Sequence, residues 1–369
     1  MLASFVKCNS FCSAVPPYTR GLFCCKYIIY GGIREMTDEY KHLISYVDKI
    51  KELNYSTASA LIVIHNDKIV VNHYNGRHSN VASSKKISQS SQFHVASARK
   101  SYLGLAVAYA LYERKIKSLD DYARDYFDEY DWDVLGDTTL RHLVTYSHGI
   151  DDNDGAIFRE FGPGERWAYK GMGVIMMTKL INNLYKKPFT QLLKERVFEP
   201  LNFKETAWRT IEIDELVKVI TDPSRDAILP INHSTSGLEG NLFVSTREFA
   251  YWGYLHLKKG FMNGKQIVPK EVIEIATKVQ SPIYKDRTLP ENGLFWYVQN
   301  GHTLKSEMGE RVPVGSFQIL GNTGPTILVI PKYNVVVAKM YNKKYNYGGD
   351  NYLHYLREFS NLVADTFAK

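Results

Sequence analysis

Hydrophobic positions along this chain repeat with two different periods, and the changes of period mark its elements. "MTDEYKHLISYVDKIKELN" (36–54) repeats apolar residues at three and four behind Thr37/Asp38, which predicts a capped amphipathic helix. "ALIVIHNDKIVVNHYNG" (60–76) places two β-rich runs on either side of Asn66–Asp67 and predicts a hairpin. The serine-rich stretch "RHSNVASSKKISQSSQ" that follows reads as a loop. From Ala98 to Leu111 the chain is almost wholly apolar and rich in helix formers, so a helix there belongs in the interior. Residues from about 116 to 260 read as a helical lobe, with "SLDDYARDYF", "TTLRHLVTYS", "GVIMMTKLINNLY", "FTQLLKERVF" and "STREFAYWGYLHLKK" each starting near a cap or a proline. "GLFWYVQNG", "GSFQILGNTGPTILVIP" and "NVVVAKMYN" read as strands, and "YLHYLREFSNLVADTF" as a closing helix. Strands at both ends around a helical middle predict an α/β (α+β) fold. Its antiparallel sheet is flanked by helices and carries an inserted all-helical lobe.

Composition narrows the class. With 369 residues and 44% hydrophobic content there is chain enough for a large core. The net charge is +7, of which the first 35 residues hold +3. The remaining lysines fall in scattered pairs (Lys85–Lys86, Lys258–Lys259, Lys343–Lys344), with no basic stripe, so no nucleic-acid partner is expected. Cys8, Cys12, Cys24 and Cys25 are all the cysteines, which excludes a disulfide scaffold or a cysteine metal set in the body. No run approaches the roughly 20 apolar residues that span a bilayer, so no stable membrane insertion is expected. Lys7, Asn9, Pro16, Pro17 and Arg20 break the N-terminal segment, which makes a poor signal peptide. Residues 1–35 are therefore expected to be a disordered or non-native extension, with 36–369 the functional domain. A degenerate export or anchoring segment is the alternative. The expected compartment is the cytoplasm, with secretion or the cell surface as the alternative.

Candidate chemistry gathers at the head of the apolar helix. Ser97 and Lys100 are three apart and would share a helix face, with Arg99 pointing elsewhere. The spacing alone is cheap, since Ser4–Lys7 and Ser83–Lys86 repeat it in the N-terminal segment and in the polar loop. A lysine on a core helix is costly unless paired or neutral, and a neutral lysine is a base. The competing reading is an N-cap serine beside a snorkelling lysine. None of the eleven histidines forms an HExxH or HxH pattern, so neither a metal nor a cofactor is expected. No GxSxG elbow is present to support an α/β-hydrolase.

Ordered landmarks over residues 60 to 340 resemble the serine β-lactamase and penicillin-binding-protein family, in the branch of class C β-lactamases, DD-peptidases and related esterases. "FHVASARK" is similar to its nucleophile motif, and "TTLRHLVTYSHGI" to its "T-hydrophobic-R-x-L-L-x-H-x-S-G-L" helix. "FGPGERWAYKGMG" resembles the "P-G-x-x-W-x-Y-S-N-x-G" loop, and "GLEGNLFVSTREFAYWG", "GKQIVPKEVIE", "NGLFWYV" and "GPTILVIPKYNVVVA" match further landmarks. The resemblance implies a serine β-lactamase/DD-peptidase-like fold. Ser97 would be the nucleophile, Lys100 its base and Tyr169 a partner in proton transfer. The Ser97 amide and a backbone N–H near Asn322 would form the oxyanion site. Trp167, Gly171, Thr323 and Gly324 would line the substrate site.

Two departures bear on substrate. The family's Tyr-x-Asn is here Tyr169-Lys170-Gly171, and its Lys-Thr-Gly or His-x-Gly is Asn322-Thr323-Gly324, with no cation at the first position. That cation helps bind the carboxylate of penicillins and peptide ends, so the sequence favours an ester or small amide. Lys170 is expected to be a solvent-facing loop lysine. The expected function is a cofactor-independent serine hydrolase acting on a small-molecule ester, amide or peptide. A DD-peptidase or β-lactamase is one alternative, and a catalytically inactive binding module of the same fold is another.

Overall fold

The described residues of this computed structural model are 39–222, 227–228, 230–301, 303–344 and 351–368. The expected extension over 1–35 and the Thr37/Asp38 cap lie outside them, and residues 40–369 form one unit. Helix α1 (Lys41–Leu53) precedes the hairpin of β1 (Ala58–His65) and β2 (Lys68–Gly76). Asn66 and Asp67 take φ of 49° and 66°, the left-handed pair that fits strand twist at a two-residue turn. Next come β3 (Gln92–His94), a 3₁₀ turn over Ala96–Arg99 and helix α2 (Lys100–Tyr112). The middle supplies α3 (Met172–Tyr185), β4 (Thr206–Trp208), β5 (Leu242–Ser245), α4 (Thr246–Leu257) and α5 (Lys270–Thr277). The last part holds β6 (Glu291–Asn292), β7 (Tyr297–Val298), β8 (Phe317–Leu320), β9 (Thr326–Ile330), β10 (Val335–Tyr341) and α6 (Tyr352–Phe367).

The main sheet is antiparallel throughout, in the order β6-β7-β8-β9-β10-β1-β2. β10 is buried along its whole length, so alternation there selects between two cores rather than between core and water. Leu61, Val63, Leu328 and Val337 pack with α1 and α6 on one face. Ala60, Ile62, Ile327 and Val336 join the core that contains α2 and α4 on the other. Helix α2 is buried from Lys100 to Ala110. Tyr102 stacks on Trp252 of α4 at 3.9 Å, and the Trp252 indole donates to Ser101 at 3.0 Å.

The middle is mostly helical and also holds short strands. Ile150–Asn153 pairs with Ala156–Arg159, and β3-β5-β4 form a small sheet. Two expected elements are shorter than their patterns. In "SLDDYARDYF" only Ala123–Asp125 is helical, as a 3₁₀ turn. There the Ser118 amide donates to Asp121 at 3.1 Å and the Ala123 amide to the Thr138 carbonyl at 2.7 Å, bonds that compete with a helix. In "GLFWYVQNG" only Tyr297–Val298 pairs, because the Leu294 and Phe295 amides donate to Ala276 and Val144 instead.

Candidate active site

The entry to α2 is a strained turn held from two directions. Ala96 is buried with φ +47°, a left-handed conformation that costs an L-residue about 1–2 kcal/mol. The Val95 amide ahead of it donates to Leu242 at 3.0 Å, next to the pairing of β3 with β5. From the other side comes Gly321, in the turn between β8 and β9. A Cβ on Gly321 would stand 2.2 Å from the Val95 carbonyl oxygen and 3.1 Å from the Ala96 Cβ, so only glycine permits this approach. Ser97 sits between these supports and leads into α2.

Ser97, Lys100 and Tyr169 come together. Lys100 is 5% exposed, and no carboxylate is bonded to it among the described residues. Its Nζ donates to the Tyr169 hydroxyl and lies 3.8 Å from the centroid of that ring and 5.3 Å from that of Tyr146. Burial pushes the Lys100 pKa well below the usual lysine range; the Arg99 charge pushes the same way and Glu307 opposes. Desolvation thus favours the neutral amine. Burial raises Tyr169 to about 12, against a side-chain hydrogen bond with Ser97. The Tyr169 residue is nonetheless 47% exposed, although its hydroxyl meets buried Lys100.

The third family segment also reaches this turn. The Thr323 hydroxyl donates to the His94 carbonyl at 2.7 Å, which ties the β8–β9 turn to the strand before Ser97. The Gly321 and Gly324 amides bond within the turn, whereas no such bond uses that of half-buried Asn322. Gly324 (φ +105°) packs against Tyr341. Trp167 donates its indole N–H to Asn292 at 2.8 Å and lies 6.3 Å from the Tyr169 ring. Gly171 caps the start of α3 and has open space where a side chain would stand. Lys170 is not a free loop lysine: its Nζ is 2.6 Å from both Asp151 and Glu160.

Three neighbours escaped the sequence reading. Arg99 donates to the Leu238 carbonyl at 3.2 Å, yet its charge is felt at Lys100 and Tyr169. Tyr146 (φ +59°) stacks on Tyr169 at 5.0 Å. It stands where the helix motif carries its histidine, a signal the sequence did hold. Glu307 accepts from the Tyr297 hydroxyl at 3.1 Å, and burial raises it to about 7. In sequence it is one acid in a polar loop, with nothing local to mark it.

Two of the histidines hold local backbone. His142 Nδ1 accepts the Thr139 amide at 3.0 Å, His148 Nδ1 accepts that of Ile150 at 3.0 Å, and burial lowers them to about 4 and about 3. Among the described residues no group of three or more His, Cys, Asp or Glu is arranged to hold a metal, and no helix is long and apolar enough to cross a membrane.

An antiparallel sheet, a mostly helical lobe and a serine at the head of a buried helix define a serine β-lactamase-like fold. A family model described as Beta-lactamase matches residues 48–360, and the chain belongs to that family. It is 40% identical over 328 residues to an uncharacterized protein of Alkalihalophilus pseudofirmus, a match covering 89% of this chain and 96% of that one. Among solved structures it is similar in fold to EstCE1, described as a hydrolase with promiscuous acyltransferase activity. That match has a TM-score of 0.66 at 14% identity and covers 88% of this chain and 99% of the other. It is also similar to the octameric penicillin-binding protein homologue from Pyrococcus abyssi, with a TM-score of 0.65 at 18% identity over 84% of this chain and 75% of that one. At the level of its family, the chain is a serine hydrolase.

Proposed function

We propose that this protein hydrolyses a carboxylic ester or small amide through an acyl-enzyme on Ser97. The observation that carries the reading is a buried Lys100 with no acid bonded to it among the described residues, its Nζ donating to the hydroxyl of Tyr169, whose acidity a Ser97 hydrogen bond favours. Ser97 Oγ attacks the carbonyl carbon, and its proton passes by way of Tyr169 to the Lys100 nitrogen. The carbonyl π pair moves to oxygen, which faces the Ser97 and Asn322 amides. Collapse breaks the C–O or C–N bond, and the proton returns to the leaving atom. Water then repeats the sequence on the acyl-enzyme and frees Ser97.

The substrate class follows from the two departures from the family's motifs. Asn322 brings no cation, and Lys170 is held by Asp151 and Glu160, which favours an ester or amide over penicillins and peptide carboxylates. Intact-protein mass after incubation with a fluorophosphonate tests the reading. One adduct is expected on the wild type and none on a folded Ser97→Ala variant. No adduct on the wild type would overturn it in favour of an inactive binding module.

A further inference from the structure

Tyr169 lies in a stretch that regular structure does not hold. Residues 166–170 belong to no helix or strand. The Ala168 amide donates to the Tyr146 carbonyl at 2.9 Å, but among the described residues no backbone–backbone bond uses the amide or carbonyl of Tyr169 or Lys170. Yet the Tyr169 hydroxyl meets the Lys100 Nζ while 47% of the residue is exposed. Stacking on Tyr146 restrains the ring on one side. The remaining hold on this peptide comes from a side chain.

Lys170 supplies it. Its Nζ lies 2.6 Å from Asp151 Oδ2 and 2.6 Å from Glu160 Oε2. The two acids stand beside the Ile150–Arg159 pair of the small hairpin. That hairpin is itself fixed: the Arg159 guanidinium donates to the His148 carbonyl at 3.0 Å, to the Leu135 carbonyl at 2.7 Å and to the Thr138 hydroxyl at 2.8 Å, and the Glu160 amide donates to the Gly149 carbonyl at 2.7 Å. One contact would leave a lysine stem free to swing, whereas two from separate residues fix its end. Arg166 of the same stretch lies 3.8 Å from Glu160 and ties it a second time. Hydrogen bonds to Asp151 and then Glu160 raise Lys170 above the usual lysine range, and the Lys170 bond lowers Asp151, so both stay charged at neutral pH. Partly exposed ion pairs add little to global stability, so what this cluster can provide is position. A displacement of about 1 Å at a reacting group can slow a reaction about a hundredfold.

We propose that Lys170 is a positioning residue: clamped between Asp151 and Glu160, it fixes the peptide that presents the Tyr169 hydroxyl to Lys100. Two neighbouring residues are thereby tied in two directions, Tyr169 to α2 and Lys170 to the hairpin. The proposal rests on the hydrolase reading for its effect on rate, but the placement of Tyr169 is measurable without catalysis.

The test compares the wild type with Lys170→Met and with the double variant Asp151→Asn/Glu160→Gln, each as the full chain and checked for a melting temperature near wild type. The double variant serves if Lys170→Met does not fold. The first readout is the rate of fluorophosphonate labelling at Ser97. Both variants are expected to label about 10–100-fold more slowly, and combining all three substitutions is expected to add little, because they break one clamp. The second readout is the ring NMR signal of Tyr169 in protein isotope-labelled at tyrosine, identified by its absence in Tyr169→Phe. It is expected to shift or broaden in both variants while the signals of tyrosines distant from the site stay in place, which a general loss of structure would not produce. An unmoved Tyr169 signal overturns the proposal in any case. Where the wild type labels, an unchanged rate in Lys170→Met overturns it as well. So does slow labelling in Lys170→Met beside a wild-type rate in the double variant, since the lysine would then act by its own charge. Failure of the wild type to label would remove the hydrolase reading and leave the Tyr169 signal to decide the placement, so the two failures are distinguishable.

Discussion

Lys100 and Lys339 are both buried without an acid bonded to them among the described residues, and the difference between them lies in what each faces. Lys100 meets the hydroxyl of Tyr169, a residue that is itself partly exposed. Lys339 is 3% exposed, and its Nζ lies 4.0 Å from the Phe359 ring centroid and 5.4 Å from that of Tyr341. Burial lowers Lys339 from 10.5 to about 7. Between pH 7 and 10.5 the unfolded chain therefore binds a proton that the native chain does not. Stability rises with pH across that window, and the penalty is fully present below it. Lys339→Met is expected to stabilise the protein at pH 7 by a few kcal/mol, about 1.4 per pK unit, and to flatten this pH dependence in urea melts. A midpoint equal to wild type at pH 7 would refute it. In the site, Tyr169→Phe is expected to lower kcat/KM by about 10²–10⁴ and to leave the melting temperature near wild type, because part of the ring is exposed. Full activity in that variant would take Tyr169 out of proton transfer. Ser97, Lys100 and Tyr169 were legible as candidates because each sits in a recognisable local motif. Lys339 was not, because a lone lysine in a strand reads as facing water, and burial on both faces is set by the two helical layers.

Among the elements, the β8–β9 turn shows how a short connection can brace the segment that carries a candidate nucleophile. Its Gly321 backs the strained Val95–Ala96 peptide, and Thr323 ties the same turn to His94. Gly321→Val would press a side chain against a backbone carbonyl that cannot rotate away. The expected outcome is a loss of about 1–3 kcal/mol in urea denaturation and slower fluorophosphonate labelling of Ser97. A labelling rate unchanged from wild type would show that the turn does not position the serine. Elements with a strong internal period matched their patterns: the Asn66–Asp67 hairpin, the buried helix α2 and the closing helix α6. The segments around 118–127 and 293–301 did not, because their amides are taken by carbonyls and carboxylates outside the element or by a local turn.

In the molecule taken together, one asparagine joins sheet and lobe. Asn342 Oδ1 accepts the Thr57 and Ala58 amides at 3.1 Å, and its Nδ2 donates to the Thr57 hydroxyl at 2.6 Å and to the Lys218 carbonyl at 2.9 Å. Asn342→Leu is expected to cost about 2–4 kcal/mol, since several buried groups lose partners at once. Urea denaturation should show a lower midpoint and still a single transition; a second transition would mean that sheet and lobe unfold independently. The antiparallel sheet, the mostly helical middle and the candidate Ser97–Lys100 pair were all present in patterns spanning a few residues, because periodicity, turn chemistry and capping depend on near neighbours. Long-range packing supplied the rest. It brought the Tyr169 hydroxyl to Lys100 from 69 positions away, set Glu307 within electrostatic reach of both, and turned Lys339 into a core. Burial and local field are sums over atoms that meet only when the chain folds, so no stretch of sequence carries them alone.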